Sequence, residues 1–251
     1  MAPTTIRGLV KAAGAWPFAI MPAGMRRRLV QAILHGTASA PPRGAMRALL
    51  DIEHDVDACL NQAALQYGDG IHVKHRLIRY HEFFVGRIQP GERVLDVGFG
   101  WGAVAHAMAE AGAIVAGIDS SADRVRESRA RFQHPRLEFI AGTAPQDVPA
   151  QHFDVIVASN VLEHVEHRRE FLQSIQQRTS ARRWLIRVPM SNRDWRVPLR
   201  EELGLFHFSD PTHFIEYTRE TFQREMSEAG FVVDHLQINW GEIWAEVRDG
   251  H

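Results

Sequence analysis

Residues 93–102 read Arg-Val-Leu-Asp-Val-Gly-Phe-Gly-Trp-Gly, and this stretch decides the fold. Arg93 to Val97 is a short apolar strand. Gly98, Gly100 and Gly102 then give a turn that tolerates positive φ and lets the backbone come close to a ligand. An Ala-rich helical run, Ala103 to Ala111, follows, so unpaired N–H groups at its start point toward the same ligand. The spacing is D-x-G-x-G-x-G, with the third glycine one residue early for the dinucleotide fingerprint. Asp96 inside the motif would repel an anionic pyrophosphate and attract a cationic ligand that carries an ammonium and a sulfonium.

Downstream, strand and helix alternate. Extended runs are expected at 113–118, 137–140, 153–158 and 184–188, with helices from Ser120 or Ser121 to Arg131, over 166–179 and over 218–229. The run Phe153 to Ala158 is continuously apolar, as in a strand buried on both faces. Residues 231–238 and 242–247, joined around Trp240-Gly241, read as a terminal antiparallel pair. The fold class is therefore α/β: a Rossmann-like, mostly parallel seven-stranded sheet with an antiparallel end and an N-terminal helical extension. Ligands bind such sheets beyond the carboxyl ends of the strands. Asp119 ends the second strand, where a carboxylate can accept hydrogen bonds from both ribose hydroxyls.

Upstream, Thr37 to Gly44 reads as a linker, Asp51 to Tyr67 as a helix with Ile52, Val56, Cys59 and Leu60 on one side, and Ile71 to Ile88 as a second helical region. The expected organisation is a basic arm over 1–50, a helical lid over 51–90 and a cofactor-binding domain over 91–251. The chain has 251 residues with 29 Lys or Arg against 30 Asp or Glu, so the whole molecule is no obvious polyanion binder. That balance hides an asymmetry: residues 1–50 hold seven basic residues and no acid. Trp16, Phe18, Ile20 and Met21 precede Arg26-Arg27-Arg28, a pattern suited to an anionic membrane surface. The uncharged run Ala12 to Met25, with Pro17 and Pro22, is too short to span a bilayer, which needs roughly 20 residues. The alternatives are an arm that packs on its own domain or on a homodimer mate, and a disordered arm. Cys59 is the lone cysteine. It excludes an intrachain disulfide, reads as a small buried side chain, and fits a cytoplasmic setting.

Four stretches together carry a resemblance: VLDVGFGWG at 94–102, GIDSS at 117–121, LEFIAGTA at 137–144 and FDVIVASNVLEHV at 153–165. In order and spacing they resemble the motifs of class I S-adenosylmethionine-dependent methyltransferases, including enzymes of sugar, cell-envelope and small-molecule O-methylation. The resemblance implies S-adenosylmethionine as cofactor. It places Asp96, Gly98 and Gly100 near the methionine end, Asp119 on the ribose and Ser120 beside the adenine. Asn160 belongs to the same cofactor set. Thr143 stands where many relatives have an aspartate, so the adenine contact passes to Thr143 or to the Ala144 backbone.

Methyl transfer is an in-line displacement, and a hydroxyl acceptor benefits from a base near neutral pH. His164, just after the fourth strand, and His213, in the insert between the fifth strand and the helix at Thr218, are the candidate catalytic residues. His207, Asp210 and Glu216 of that insert, with Lys74, Arg76 and Tyr80 of the lid, are candidates for the acceptor side. Ubiquinone-pathway and small-RNA methyltransferases have a metal-binding Glu-x-x-Glu-His element; here Asn160 replaces its first acid, and no metal is expected. The expected substrate is a hydroxyl on a glycan or small molecule. The basic arm alone favours RNA, without a nucleic-acid motif. A nicotinamide-dependent oxidoreductase and a non-catalytic cofactor-binding protein are the readings from other classes. Partner expectations are membrane-surface contact through residues 1–35 and a homodimer.

Overall fold

The computed structural model describes residues 20–68 and 72–250, so Trp16 and Phe18 lie outside the described residues. The chain divides into two compact units, Met1–Ala63 and Ala64–His251. The first contains α1 (Ala23–Ala38) and most of α2 (Pro42–Tyr67). The linker expected at 37–44 shrinks to residues 39–41. Thr37 and Ser39 hydroxyls bond back to the carbonyls of Ile33 and His35, which closes the end of α1. Pro42 opens α2, where a missing N–H costs nothing. Cys59, read from the sequence as buried, is exposed, as are Val56 and Leu60. Helical periodicity marks a stripe without showing what covers it. Among the described residues no helix is long and apolar enough to cross a membrane.

The second unit begins with α3 (Lys74–Ile78) and α4 (His81–Val85). Arg79, at φ 55°, breaks the single helical region expected there into two short helices. The sheet then forms from β1 (Arg93–Val97), β2 (Ile114–Asp119), β3 (Leu137–Ala141), β4 (Val155–Ser159), β5 (Arg183–Pro189), β6 (Phe231–Asn239) and β7 (Glu242–Asp249). Its order is β3-β2-β1-β4-β5-β7-β6. The first five strands are mutually parallel, and β7 pairs antiparallel with both β5 and β6. Trp240 (φ 54°) and Gly241 (φ 74°) form the β6–β7 turn, with the paired positive φ of a tight hairpin.

Five further helices connect the strands: α5 (Ala103–Glu110), α6 (Ala122–Arg131), α7 (Arg168–Thr179), α8 (Arg196–Glu202) and α9 (Arg219–Glu228). The Ser121 side chain caps α6 by accepting from the Arg124 N–H. Alternation along the strands divides the core between the two sheet faces. Leu95, Val97, Ile156, Trp184, Ile186 and Val188 join one cluster with Leu172 and Phe222. Val94, Val155, Val157 and Leu185 join the other with Tyr80, Phe83, Phe84, Met108 and Trp244. Asp96 and Arg187 share the parity of the second set, so two buried charged residues point to the α3–α4 side of the sheet. The strand order reverses between β1 and β4, which fixes where a ligand can enter.

Candidate active site

At that switch point a cavity of about 630 Å³ opens beyond the carboxyl ends of β1, β2 and β4. Of the sequence-predicted residues, Gly98, Asp119, Ser120, Thr143, Ala144, Asn160, His164 and Asp210 line it. A smaller hollow of about 210 Å³ lies beside Arg93, Ile114 and Leu137, at the opposite ends of the strands, away from the glycine turn.

The turn is built as the spacing requires. Gly98, Gly100 and Gly102 have φ of 64°, 61° and 76°. A Cβ on Gly98 would lie 2.8 Å from Val161 Cγ2, and one on Gly102 would lie 2.7 Å from the Phe139 ring. Gly98→Ala combines the left-handed penalty of ~1–2 kcal/mol with that clash. It is expected to weaken S-adenosylhomocysteine binding about tenfold, as read by calorimetry; unchanged affinity would show that the turn adjusts freely. Asp119 is almost fully buried. Its Oδ2 accepts from Gly100 N at 3.1 Å and its Oδ1 from Ser121 N at 2.9 Å, so one carboxylate ties the turn to the end of β2. Arg124, which sequence reasoning missed, lines the cavity 3.7 Å from Asp119. Thr143 N donates to Asp147 Oδ2 at 2.8 Å.

Asp96 lies beneath the turn, 2% exposed, and its Oδ2 has no hydrogen-bond partner among the described residues. Burial, and then the nearby Asp119 charge, push its pKa up to about 8. Asn160 follows β4 at φ 55°, a conformation asparagine tolerates, and its buried Oδ1 is also unpartnered.

His164 lines the cavity, and His213, which is not among its lining residues, packs against it. The His164 and His213 rings lie 4.6 Å apart, edge to face. Thr212 Oγ1 is 2.6 Å from Asp210 Oδ1 and 2.8 Å from His164 Nδ1. Asp210 is held below the usual carboxylate range: burial opposes its ionisation, but the Thr212 hydrogen bonds outweigh it. The ionised carboxylate only accepts, so the Thr212 hydroxyl donates to it and accepts from His164 Nδ1–H. That tautomer leaves the lone pair on His164 Nε2. His213 Nδ1 lies 3.1 Å from Glu216 Oε1, and by the same logic its Nε2 is the free nitrogen. Burial, and then the neighbouring His213, lower the His164 pKa, which keeps the ring neutral.

The insert is anchored by Glu216, whose side chain is fully buried. It accepts from Ser209 N at 2.5 Å and Ser209 Oγ at 2.7 Å, and pairs with Arg193. Burial opposes ionisation, but hydrogen bonds from His213 and Ser209, with the Arg193 charge, hold it at about 2. Its oxygens serve the insert. The His207 ring lies against that of Phe208, tilted with centroids 4.6 Å apart, and Arg76 is exposed. Neither is among the residues that line the cavity.

Glu163 stands in the sequence as the second acid of the Glu-x-x-Glu-His-like stretch, next to His164. It is fully buried, and neither carboxylate oxygen has a hydrogen-bond partner among the described residues. Burial raises its pKa to about 8. Ligand atoms of Glu163, His164 and His213 all lie within 4.8 Å of one another, a donor set that fits a divalent cation. A second polar cluster joins α3 and the start of α4 to β5 and β7. Arg187, 4% exposed, makes a bidentate pair with Glu242 at 2.7 and 2.5 Å. Its guanidinium lies 3.9 Å from the centre of the Tyr80 ring, and the Tyr80 hydroxyl bonds to His75 Nδ1. Lys74 feels the same group: burial and then Arg187 lower its pKa. A charged residue inside the run Trp-Leu-Ile-Arg-Val was the one signal of Arg187 in the sequence.

Known proteins share these features in part. A family model described as a methyltransferase domain matches residues 70–236. The mitochondrial ubiquinone biosynthesis O-methyltransferase of Schizosaccharomyces pombe is 37% identical over 93 residues, covering 35% of this chain and 34% of that protein. The ribosomal protein L11 methyltransferase of Burkholderia thailandensis is 37% identical over 96 residues, covering 38% and 31%. The matched stretch thus spans about a third of these relatives' length. Among solved structures, magnesium protoporphyrin IX methyltransferase from Synechocystis PCC 6803 with bound SAH has a TM-score of 0.54 at 18% identity, over 69% of this chain and 80% of that one. The Haloferax volcanii methyltransferase solved with its Trm112 activator has a TM-score of 0.57 at 14% identity, over 71% and 92%. These likenesses carry the fold, and the family match spans more than half of the chain, so the protein belongs to the methyltransferase-domain family and has the fold of the SAH-bound neighbour.

Proposed function

We propose that the protein methylates a hydroxyl group of a small molecule, with His164 Nε2 as the base, seconded by His213. The observation that carries this reading is a cavity-lining histidine and its ring neighbour, each oriented through a carboxylate: Asp210–Thr212–His164 and Glu216–His213 both leave Nε2 free. The cofactor supplies an electrophilic methyl group when bound. Gly98, Asp119, Ser120 and the backbone around Thr143 and Ala144 would hold it, and Asp96 would complement its positive end. His164 would then accept the acceptor proton as the oxygen attacks. The acceptor class leans toward small hydroxylated molecules because two relatives matched at 36–37% identity are ubiquinone biosynthesis O-methyltransferases. A sugar hydroxyl on a glycan is the other member of the class. Lys74 and Tyr80, in the Arg187 cluster, are proposed for the acceptor side.

A second reading concerns a metal. Glu163 has two unpartnered buried oxygens, a carboxylate oxygen of Glu163 and one ring nitrogen each of His164 and His213 lie within 4.8 Å of one another, and this set fits a divalent cation. Glu163, His164 and His213 would hold it, and it would supply Lewis acidity to a hydroxyl oxygen.

The test incubates the full chain with S-adenosylmethionine and a panel of catechols, quinols and reducing sugars, and follows methylated product by mass spectrometry. Product from a hydroxyl acceptor supports the reading. Cofactor binding without product from the panel, alongside turnover on an amine or carboxylate, overturns it.

Asp96 adds a pH dependence. With its folded pKa pushed up to about 8, the apo protein holds a proton that the unfolded chain releases near 3.8. Apo stability therefore falls as pH rises through that window. A cationic ligand favours the carboxylate, so binding at pH 7 is expected to release close to one proton. Affinity should tighten by up to about tenfold per pH unit between 6 and 8. Calorimetry in buffers of different ionisation enthalpy measures this; equal heats in all buffers would remove Asp96 from the linkage.

A further inference from the structure

We infer that α1 is a membrane-surface helix that docks the protein on bilayers containing anionic lipid. The inference concerns where the protein works and is independent of the methyl-transfer reading. Met25, Leu29 and Ile33 stand at i, i+4 and i+8, so they form one stripe along the 16-residue helix. All three are exposed, at 58%, 39% and 54%, and Ile20 just before the helix is 72% exposed. Val30 is also exposed, at 53%, beside the half-buried Leu34 and Thr37, and no residue of the helix is buried, so its apolar side chains lie on an open surface. At about 100° per residue, Arg26 and Arg28 fall on opposite flanks of the stripe. Arginine stems can lie along apolar surface while their heads reach phosphate groups.

Charge selects the occupant. The first 50 residues hold seven Lys or Arg and no acid, and the rest of the chain is net acidic. A second copy would bring an equally basic stripe against the first, and like charges repel. An RNA backbone would satisfy the arginines and leave the aliphatic stripe in water. Only an anionic lipid surface takes both: acyl chains receive Met25, Leu29 and Ile33, and headgroups receive the arginines.

The experiment co-sediments the full chain with vesicles of phosphatidylcholine alone or with about 30% phosphatidylglycerol. Binding is expected on the anionic vesicles, at least tenfold stronger than on neutral ones, and weakened by raised salt. Leu29→Glu with Ile33→Glu, and separately Arg26→Gln with Arg27→Gln and Arg28→Gln, are expected to lower partitioning at least tenfold. S-adenosylhomocysteine affinity and the thermal melt should stay at their wild-type values, which shows that the variants fold. Three results overturn the inference: no binding to anionic vesicles at low salt, binding unchanged in the Leu29/Ile33 variant, or a concentration-dependent dimer in sedimentation velocity that this variant abolishes. Binding of polyuridylate in place of vesicles overturns it as well. Loss of methyl transfer with vesicle binding intact leaves it standing.

Discussion

Replacing Asp119 with alanine is expected to raise the dissociation constant for S-adenosylhomocysteine 100-fold or more. The carboxylate accepts two backbone hydrogen bonds, from Gly100 and Ser121, and lines the cavity. Hydrogen bonds to a charged group are worth roughly 1.5–3 kcal/mol each, and a ribose diol would add to them. Removing the side chain frees the glycine turn from β2 and leaves two N–H groups to find water. Asp119→Asn keeps one acceptor oxygen and is expected to fall between wild type and alanine. Calorimetric titration of all three proteins decides the matter. An alanine variant with wild-type affinity would take Asp119 out of the cofactor site.

The second large effect is expected at the histidines. His164→Ala and His213→Ala should each lower kcat by roughly 10²- to 10⁴-fold, the range of a lost general base. S-adenosylhomocysteine affinity should change only a few-fold, because the contacts proposed for the cofactor lie mainly on Asp119 and the glycine turn. The two rings touch, so the double variant should lose much less than the product of the single losses. Glu163→Gln separates the two chemical readings. If the histidines act as bases, that variant keeps most of its turnover and a chelator has no effect. If they are ligands with Glu163, both treatments abolish turnover, and added magnesium or zinc restores the chelated enzyme. Wild-type kcat in both histidine variants would discard both assignments.

The order of strands and helices from Arg93 onward is legible because each rule used is local. Alternation sets which side chain faces which side of a strand, and glycine alone takes φ of 60–80° without strain in a turn like 98–102. Boundaries moved where a local rule met a competing one. Pro42 reads as a breaker, yet it sits comfortably at the start of α2. Arg79 gives no sequence sign of its left-handed conformation, so the break between α3 and α4 was not visible.

The sequence by itself determined the α/β class, the glycine turn, and the placement of the acids Asp96 and Asp119, because these lie within one strand–turn–helix unit or at its neighbour's end. Only the tertiary structure decided which histidines meet. His164 follows β4 and His213 lies in the insert after β5, and nothing in the spacing between them requires contact. The same holds for Glu163, whose unpartnered carboxylate becomes notable only when burial removes water from it. It holds too for Arg187, whose partners Glu242 and Tyr80 come from opposite ends of the chain. Convergence of distant segments depends on how the sheet stacks its loops, and no local periodicity records that.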